Sequence, residues 1–89
     1  MEELITVTVT TYNRKDLLPK VVASVRNQTY KNIEVLIIDD CSTDGTVELI
    51  NSTLLGLDER IRCVTHSQNL GLAAARNTAI ASARGKYIA

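Results

Sequence analysis

Two adjacent carboxylates, Asp39 and Asp40, close an apolar, β-branched run (Val35 to Ile38), and a Ser/Thr/Asp/Gly cluster follows them as far as Thr46. A buried strand that ends in charge and then turns has the pattern of the ligand edge of an open α/β sheet. Successive strand residues point to opposite faces, so the two acids divide. One is expected to cap or brace the next loop and the other to face a cleft. As metal ligands they lack further oxygen donors, and as an acid/base pair they lack a neighbouring nucleophile or histidine. The plainer alternative is two helix-capping acids.

A second candidate lies near the end of the chain. Leu72, Ala75, Ala79, Ile80 and Ala83 recur at helical spacing, and Arg76 falls inside that stripe, which predicts an arginine facing the sheet. A buried guanidinium requires an acceptor, met by an ion pair with Asp39 or Asp40, by snorkelling to water, or by a ligand carboxylate, phosphate or ring oxygen. Tyr12, between a strand and a helix, offers either a stacking surface or simple packing. His66, the single histidine, has no partner at motif spacing, reads as a solvated loop residue and receives no role. The glycines stand singly, so neither a dinucleotide fingerprint nor a P-loop is present.

The elements that must position these residues follow from periodicity. Leu4 to Thr10 reads as a strand with its threonines along one face, and a helix runs from Leu17 to Asn27, with Asp16 as N-cap and Pro19 in the first turn. Ile33 to Asp39 is a strand covered on both faces. A second helix begins at Thr43 to Thr46 and ends at Gly56; Ile61 to Thr65 is a third strand. Asn69 then caps a helix from Leu70 to Ala83 that Gly85 closes, and Lys86 to Ala89 begins a fourth strand. This alternation predicts one α/β domain, a three-layer α/β/α arrangement on a mostly parallel, doubly wound sheet.

Bulk composition narrows the function. With 10 basic and 10 acidic residues in 89, nothing calls for nucleic acid or an anionic membrane as partner. Cys41 and Cys63 are too few for a disulfide framework or zinc site and read as reduced thiols. No apolar run reaches the ~18 residues of a membrane span, and no signal segment opens the chain, so a cytoplasmic location is expected. The sequons at Asn27 and Asn51 are therefore read as chance matches.

Taken together, the motifs resemble the start of a family 2 glycosyltransferase of GT-A fold, the inverting, nucleotide-sugar-dependent group. Thr10-Thr11-Tyr12-Asn13-Arg14 is similar to its opening P-T-Y-N-R, Ser24 to Thr29 to S-x-x-x-Q-T, and Asp39 to Thr46 to D-D-G-S-T-D-x-T. Asn69-Leu70-Gly71 with Ala75-Arg76-Asn77 matches N-x-G…A-R-N, and Gly85 to Ile88 matches G-x-Y-I. The resemblance implies that Thr10 and Tyr12 hold a uracil or equivalent base, that Asp40 accepts a hydrogen bond from its ring N–H, and that Arg76 reaches a base oxygen or braces Asp40. Asn13 and Asp39 support the site. Two positions depart from the family: Thr10 replaces a common proline, and Cys41 a common glycine or asparagine.

The resemblance also implies what lies elsewhere. The family's metal-binding D-x-D is expected after Ala89, with the catalytic base and acceptor pocket further on, so no catalytic or metal-binding residue is assigned in this chain. Mg²⁺ or Mn²⁺ is expected for the full-length enzyme and not for this fragment, which is expected to lack transferase activity alone. The implied partners are a UDP-sugar donor and a saccharide or lipid-linked acceptor in cell-wall or polysaccharide synthesis, with membrane association open to the full-length enzyme. A sheet edge left exposed at the fourth strand would favour a homo-oligomer. The alternative is a non-catalytic nucleotide-binding or receiver-like module.

Overall fold

The computed structural model describes residues 3–89. Four strands, β1 (Ile5–Thr11), β2 (Ile33–Asp39), β3 (Ile61–Thr65) and β4 (Tyr87–Ile88), form a wholly parallel sheet in the order β3-β2-β1-β4. Between them lie α1 (Leu18–Arg26), then α2 (Thr46–Leu49) running through a π-helical segment (Ile50–Leu54) into α3 (Leu55–Leu57), and finally α4 (Leu72–Ser82). The first two connections step the sheet in one direction and the third crosses back to the far side of β1. The switch of direction between β1 and β4 is where such sheets open a crevice at their carboxyl ends.

Strand alternation sorts the residues into two layers. β2 is buried at every position, and Val35, Leu36, Ile37 and Ile38 are fully enclosed. Its odd-numbered side chains, with Val9 and Ile61, pack against Leu18, Val22 and Val25 of α1 and Ile50 and Leu54 of the π segment. Its even-numbered ones, Leu36 and Ile38, pack against Ala75 and Ala79 of α4. Thr46, Ile50 and Leu54, all buried, recur at intervals of four. In a continuous α-helix that spacing drifts around the axis; the wider π turn takes the drift back and keeps all three on the sheet.

Several element ends differ from the sequence reading. Leu17 rather than Asp16 occupies the N-cap of α1, with no side-chain cap, and the Leu17 and Leu18 N–H groups bond to Arg14 O. Pro19 sits in the first turn as predicted, where its missing N–H has no partner to lose. Gly56 does not end the second helix, which continues to Leu57 and is stopped by extended Asp58. Gly85 is not a helix C-cap, because α4 ends at Ser82 with Ala83 extended. The space at Gly85 explains the residue: a Cβ there would lie 2.5 Å from Thr6 N and 2.6 Å from Thr6 Oγ1. Only glycine lets β4 enter beside β1.

Glu34 fastens the same region. Its buried carboxylate accepts from Thr6 Oγ1 (2.7 Å), Arg62 Nε (2.7 Å) and the Arg84 N–H (2.6 Å), and Arg62 Nη2 reaches Ser82 O (2.7 Å). Burial works to raise this carboxyl's pKa, but the Arg62, Thr6 and Arg84 hydrogen bonds together outweigh it and lower it from 4.5 to about 2. A carboxyl whose folded pKa lies below its unfolded one stabilises the fold above the unfolded value, and that contribution disappears as pH falls toward the folded value. Wild-type stability is therefore expected to fall as pH drops from about 4.5 to about 2. Glu34→Gln should be less stable at pH 7 and show a shallower decline across that window, read by urea denaturation at a series of pH values.

Candidate functional site

The carboxyl ends of β1 and β2 and the start of α4 enclose a cleft of about 460 Å³ lined by Thr10, Thr11, Tyr12, Arg14, Asp40, Asn69, Gly71 and Leu72. Tyr12 is half-exposed, at 45 %, and presents its ring there. Asp40 is buried at 5 % exposure and holds the floor. Its Oδ1 accepts from Leu70 N–H (3.0 Å) and lies 2.8 Å from His66 Nδ1; its Oδ2 accepts from Gly71 N–H (2.9 Å). These partners, the Leu70 amide foremost and then His66, hold the Asp40 carboxyl below the usual range, against an opposing push from burial.

Asp39 turns to the other face, as alternation requires. Fully buried, it accepts from Ser42 Oγ (2.6 Å) and Ser42 N–H (3.0 Å) and so braces the loop after β2. Asn13 stitches that loop to the one after β1: its N–H donates to Ser42 Oγ (2.9 Å) and its Oδ1 accepts from Thr43 N–H (2.7 Å). Asp44 completes the join, accepting from Lys15 N–H (3.1 Å) and from Thr46 N–H (3.1 Å) at the start of α2. Asn13 and Cys41 both take left-handed backbone, with φ of 51° and 65°. Asparagine suits that region and cysteine does not, so Cys41 carries strain where a glycine or asparagine would carry less.

Three expectations are corrected here. Arg76 is exposed and makes no hydrogen bond or ion pair among the described residues, so it is not buried against the sheet and does not brace Asp40. The buried stripe of α4 is Ala75 and Ala79, while Leu72 and Ile80 are 66 % and 60 % exposed. Arg76 instead lines an adjoining cleft of about 490 Å³ with Thr8, Ala79, Ile80, Ile88 and Ala89, joined to the first through Thr10 and Leu72. Asn69 is not the cap of α4, whose N-cap is Gly71 with no side-chain cap; the Asp40 carboxylate instead holds the Leu70 and Gly71 amides just ahead of the helix. His66 is no solvated loop residue. It is 8 % exposed, its Nδ1 on Asp40 and its Nε2 2.7 Å from Thr78 Oγ1. Its carboxylate partner lies 26 residues upstream, where no local motif spacing would show it.

The family model described as glycosyl transferase family 2 matches residues 6–89. The chain belongs to glycosyl transferase family 2. It is 45 % identical over 87 residues to the UDP-Glc:alpha-D-GlcNAc-diphosphoundecaprenol beta-1,3-glucosyltransferase WfaP of Escherichia coli, covering 98 % of this chain and 34 % of WfaP. Among solved structures it is similar to the mannosyltransferase PcManGT of Pyrobaculum calidifontis in complex with GDP-Man and Mn²⁺. That likeness has 28 % identity and a TM-score of 0.88 over 99 % of this chain and 26 % of that one. Staphylococcus aureus TarS, at 24 % identity and a TM-score of 0.79 over 98 % of this chain and 25 % of that one, shares the fold. The chain thus has a GT-A fold, and it spans about a third or less of the length of the curated relatives it matches. A receiver-like module is set aside by the family match.

Among the described residues no three His, Cys, Asp or Glu side chains lie close enough to share a cation. Asp39 and Asp40 point to opposite faces of the sheet and already bond Ser42, His66 and two backbone amides, so they cannot converge on one cation, and the residues present do not fit the divalent ion expected of the full-length enzyme. The strain at Cys41 is open to measurement. Cys41→Asn is expected to be neutral or stabilising by under about 1 kcal/mol, and Cys41→Val destabilising by about 1–3 kcal/mol, in urea denaturation at pH 7.

Proposed function

We propose that this chain forms the nucleotide-binding part of a glycosyltransferase whose donor is a nucleoside-diphosphate sugar, with a UDP-sugar as the leading candidate. The enzyme it belongs to would transfer the sugar with inversion to a saccharide or lipid-linked acceptor in surface-polysaccharide synthesis. The observation that carries the reading is the pairing, in one cleft at the strand ends, of a half-exposed Tyr12 ring with the anchored anion of Asp40. A flat base can stack on the ring while its ring N–H donates to the carboxylate. Uracil and guanine both present such an N–H beside a carbonyl. The donors named for WfaP and PcManGT, UDP-Glc and GDP-Man, carry these two bases.

The remaining residues take roles from their positions. Thr10, shared by the two clefts, lies where a base carbonyl or ribose hydroxyl would meet its hydroxyl. Arg14 puts an exposed guanidinium on the rim, suited to a diphosphate. Arg76 serves the same ligand from the adjoining cleft, toward its base or sugar, while Asn13 and Asp39 hold the loops. A divalent ion belongs to the whole enzyme, bound by residues outside this set.

Calorimetric titration with UDP tests the assignment. Asp40→Asn and Tyr12→Ala are each expected to weaken UDP by about tenfold or more, the scale of one charge-assisted hydrogen bond or one stacked base. Arg76→Ala should cost less than either. Unchanged UDP affinity in folded Asp40→Asn and Tyr12→Ala would overturn the reading.

A further inference from the structure

The residue that sequence spacing left without a role sits directly behind the base-reading group. Asp40, as an anion, can only accept hydrogen bonds, with about four lone-pair positions in all. Leu70 N–H and His66 occupy Oδ1, and Gly71 N–H occupies one position on Oδ2. One acceptor position remains, on Oδ2. The two amides fix where the carboxylate sits, but both come from a single turn of backbone. His66 holds Oδ1 from β3's side, and Thr78, on the next turns of α4, holds the ring in turn. Because the carboxylate cannot donate, the proton of the Asp40–His66 contact must lie on Nδ1. A neutral ring then accepts the Thr78 hydroxyl proton at Nε2.

We propose that His66, steadied by Thr78, is a positioning residue for base selection: it keeps Asp40 an oriented, acceptor-only group, so that the cleft takes bases with an imide N–H and rejects cytosine. The inference rests on the nucleotide reading of the cleft. Uracil offers an N–H at ring position 3, whereas cytosine offers a lone pair there, which meets the Asp40 lone pair head-on. Without His66, Oδ1 loses a partner and the carboxylate can rock, so its free lone pair no longer opposes the cytosine ring nitrogen from a fixed position. Selectivity is then lost even where the fold survives. A brace that served only stability would change melting without changing which base is preferred.

The test titrates UDP and CDP into the protein and its His66→Ala, His66→Asn, Thr78→Val and Asp40→Asn variants at pH 7. Wild type is expected to prefer UDP, and His66→Ala to reduce the UDP-over-CDP ratio about tenfold. His66→Asn, whose amide can donate near the Nδ1 position, should recover much of the ratio, and Thr78→Val should lie between. A folded His66→Ala with the wild-type ratio overturns the role of His66, while loss of preference in Asp40→Asn in the same series leaves the nucleotide reading standing. A wild type that binds neither nucleotide, or shows no preference between them, overturns both. If His66→Ala does not fold, ¹⁵N NMR of the ring in the ligand-free protein decides: a protonated Nδ1 is expected, and a neutral Nε2–H tautomer would refute the brace.

Discussion

The Asp40 carboxylate gathers the Leu70 and Gly71 amides and His66 onto the end of β2, and the geometry of the upper layer hangs on that contact. Helix α4 has few large side chains to bury; only Ala75 and Ala79 are enclosed against Leu36 and Ile38. Two alanines allow a close approach but contribute little apolar area. Polar anchors therefore do the holding, one from β2 and one from the residue that follows it. Asp40 takes the free amides ahead of the first turn, while Glu34, six positions earlier on the same face, holds Arg84 N–H and the Arg62 that reaches Ser82 O. The helix is clamped at both ends by carboxylates, Glu34 in β2 and Asp40 just after it.

The opposite layer is built differently. Leu18, Val22, Val25, Ile50 and Leu54 press on the odd-numbered face of β2 as an aliphatic core that needs no polar help. The functional consequence follows from this asymmetry. The α4 face carries Asp40 just past the end of β2, and the cleft forms where α4 begins and β1 and β2 end. The clamp residue is thus also the cleft residue. An anion placed for capping retains one lone pair for a ligand, and the site is rigid because the helix start is.

Much of this was legible in the sequence. The strands stood out because β-branched runs such as Ile-Thr-Val-Thr-Val and Val-Leu-Ile-Ile admit no helical period, and their order fixed the α/β class. The division of Asp39 from Asp40 followed from alternation alone. On α4, side-chain size is a poor guide to burial. Leu72 and Ile80 look like core, yet only Ala75 and Ala79 are enclosed, and Leu72, Arg76 and Ile80 stay exposed along the open cleft beside them. His66, the helix start after Asn69, and Gly85 fail for a shared reason: each is decided by a contact 26 or more residues away, of Asp40 with His66, of Asp40 with the Leu70 and Gly71 amides, and of Thr6 with Gly85. Local spacing carries no trace of such contacts. Cys41 is an intermediate case, since its departure from the family residue was visible but the left-handed backbone that gives it meaning was not.

The central claim, that the cleft over Asp40 is where a nucleobase is read, is tested most directly by ¹H–¹⁵N shift mapping of the protein during UDP addition. The account predicts saturable shifts concentrated at Tyr12, Asp40, His66, Leu70 and Gly71, with smaller ones at Thr8, Ile80 and Ile88. Shifts confined to the neighbouring cleft of Thr8, Arg76, Ile80 and Ile88, with the amides over Asp40 unmoved, would contradict it.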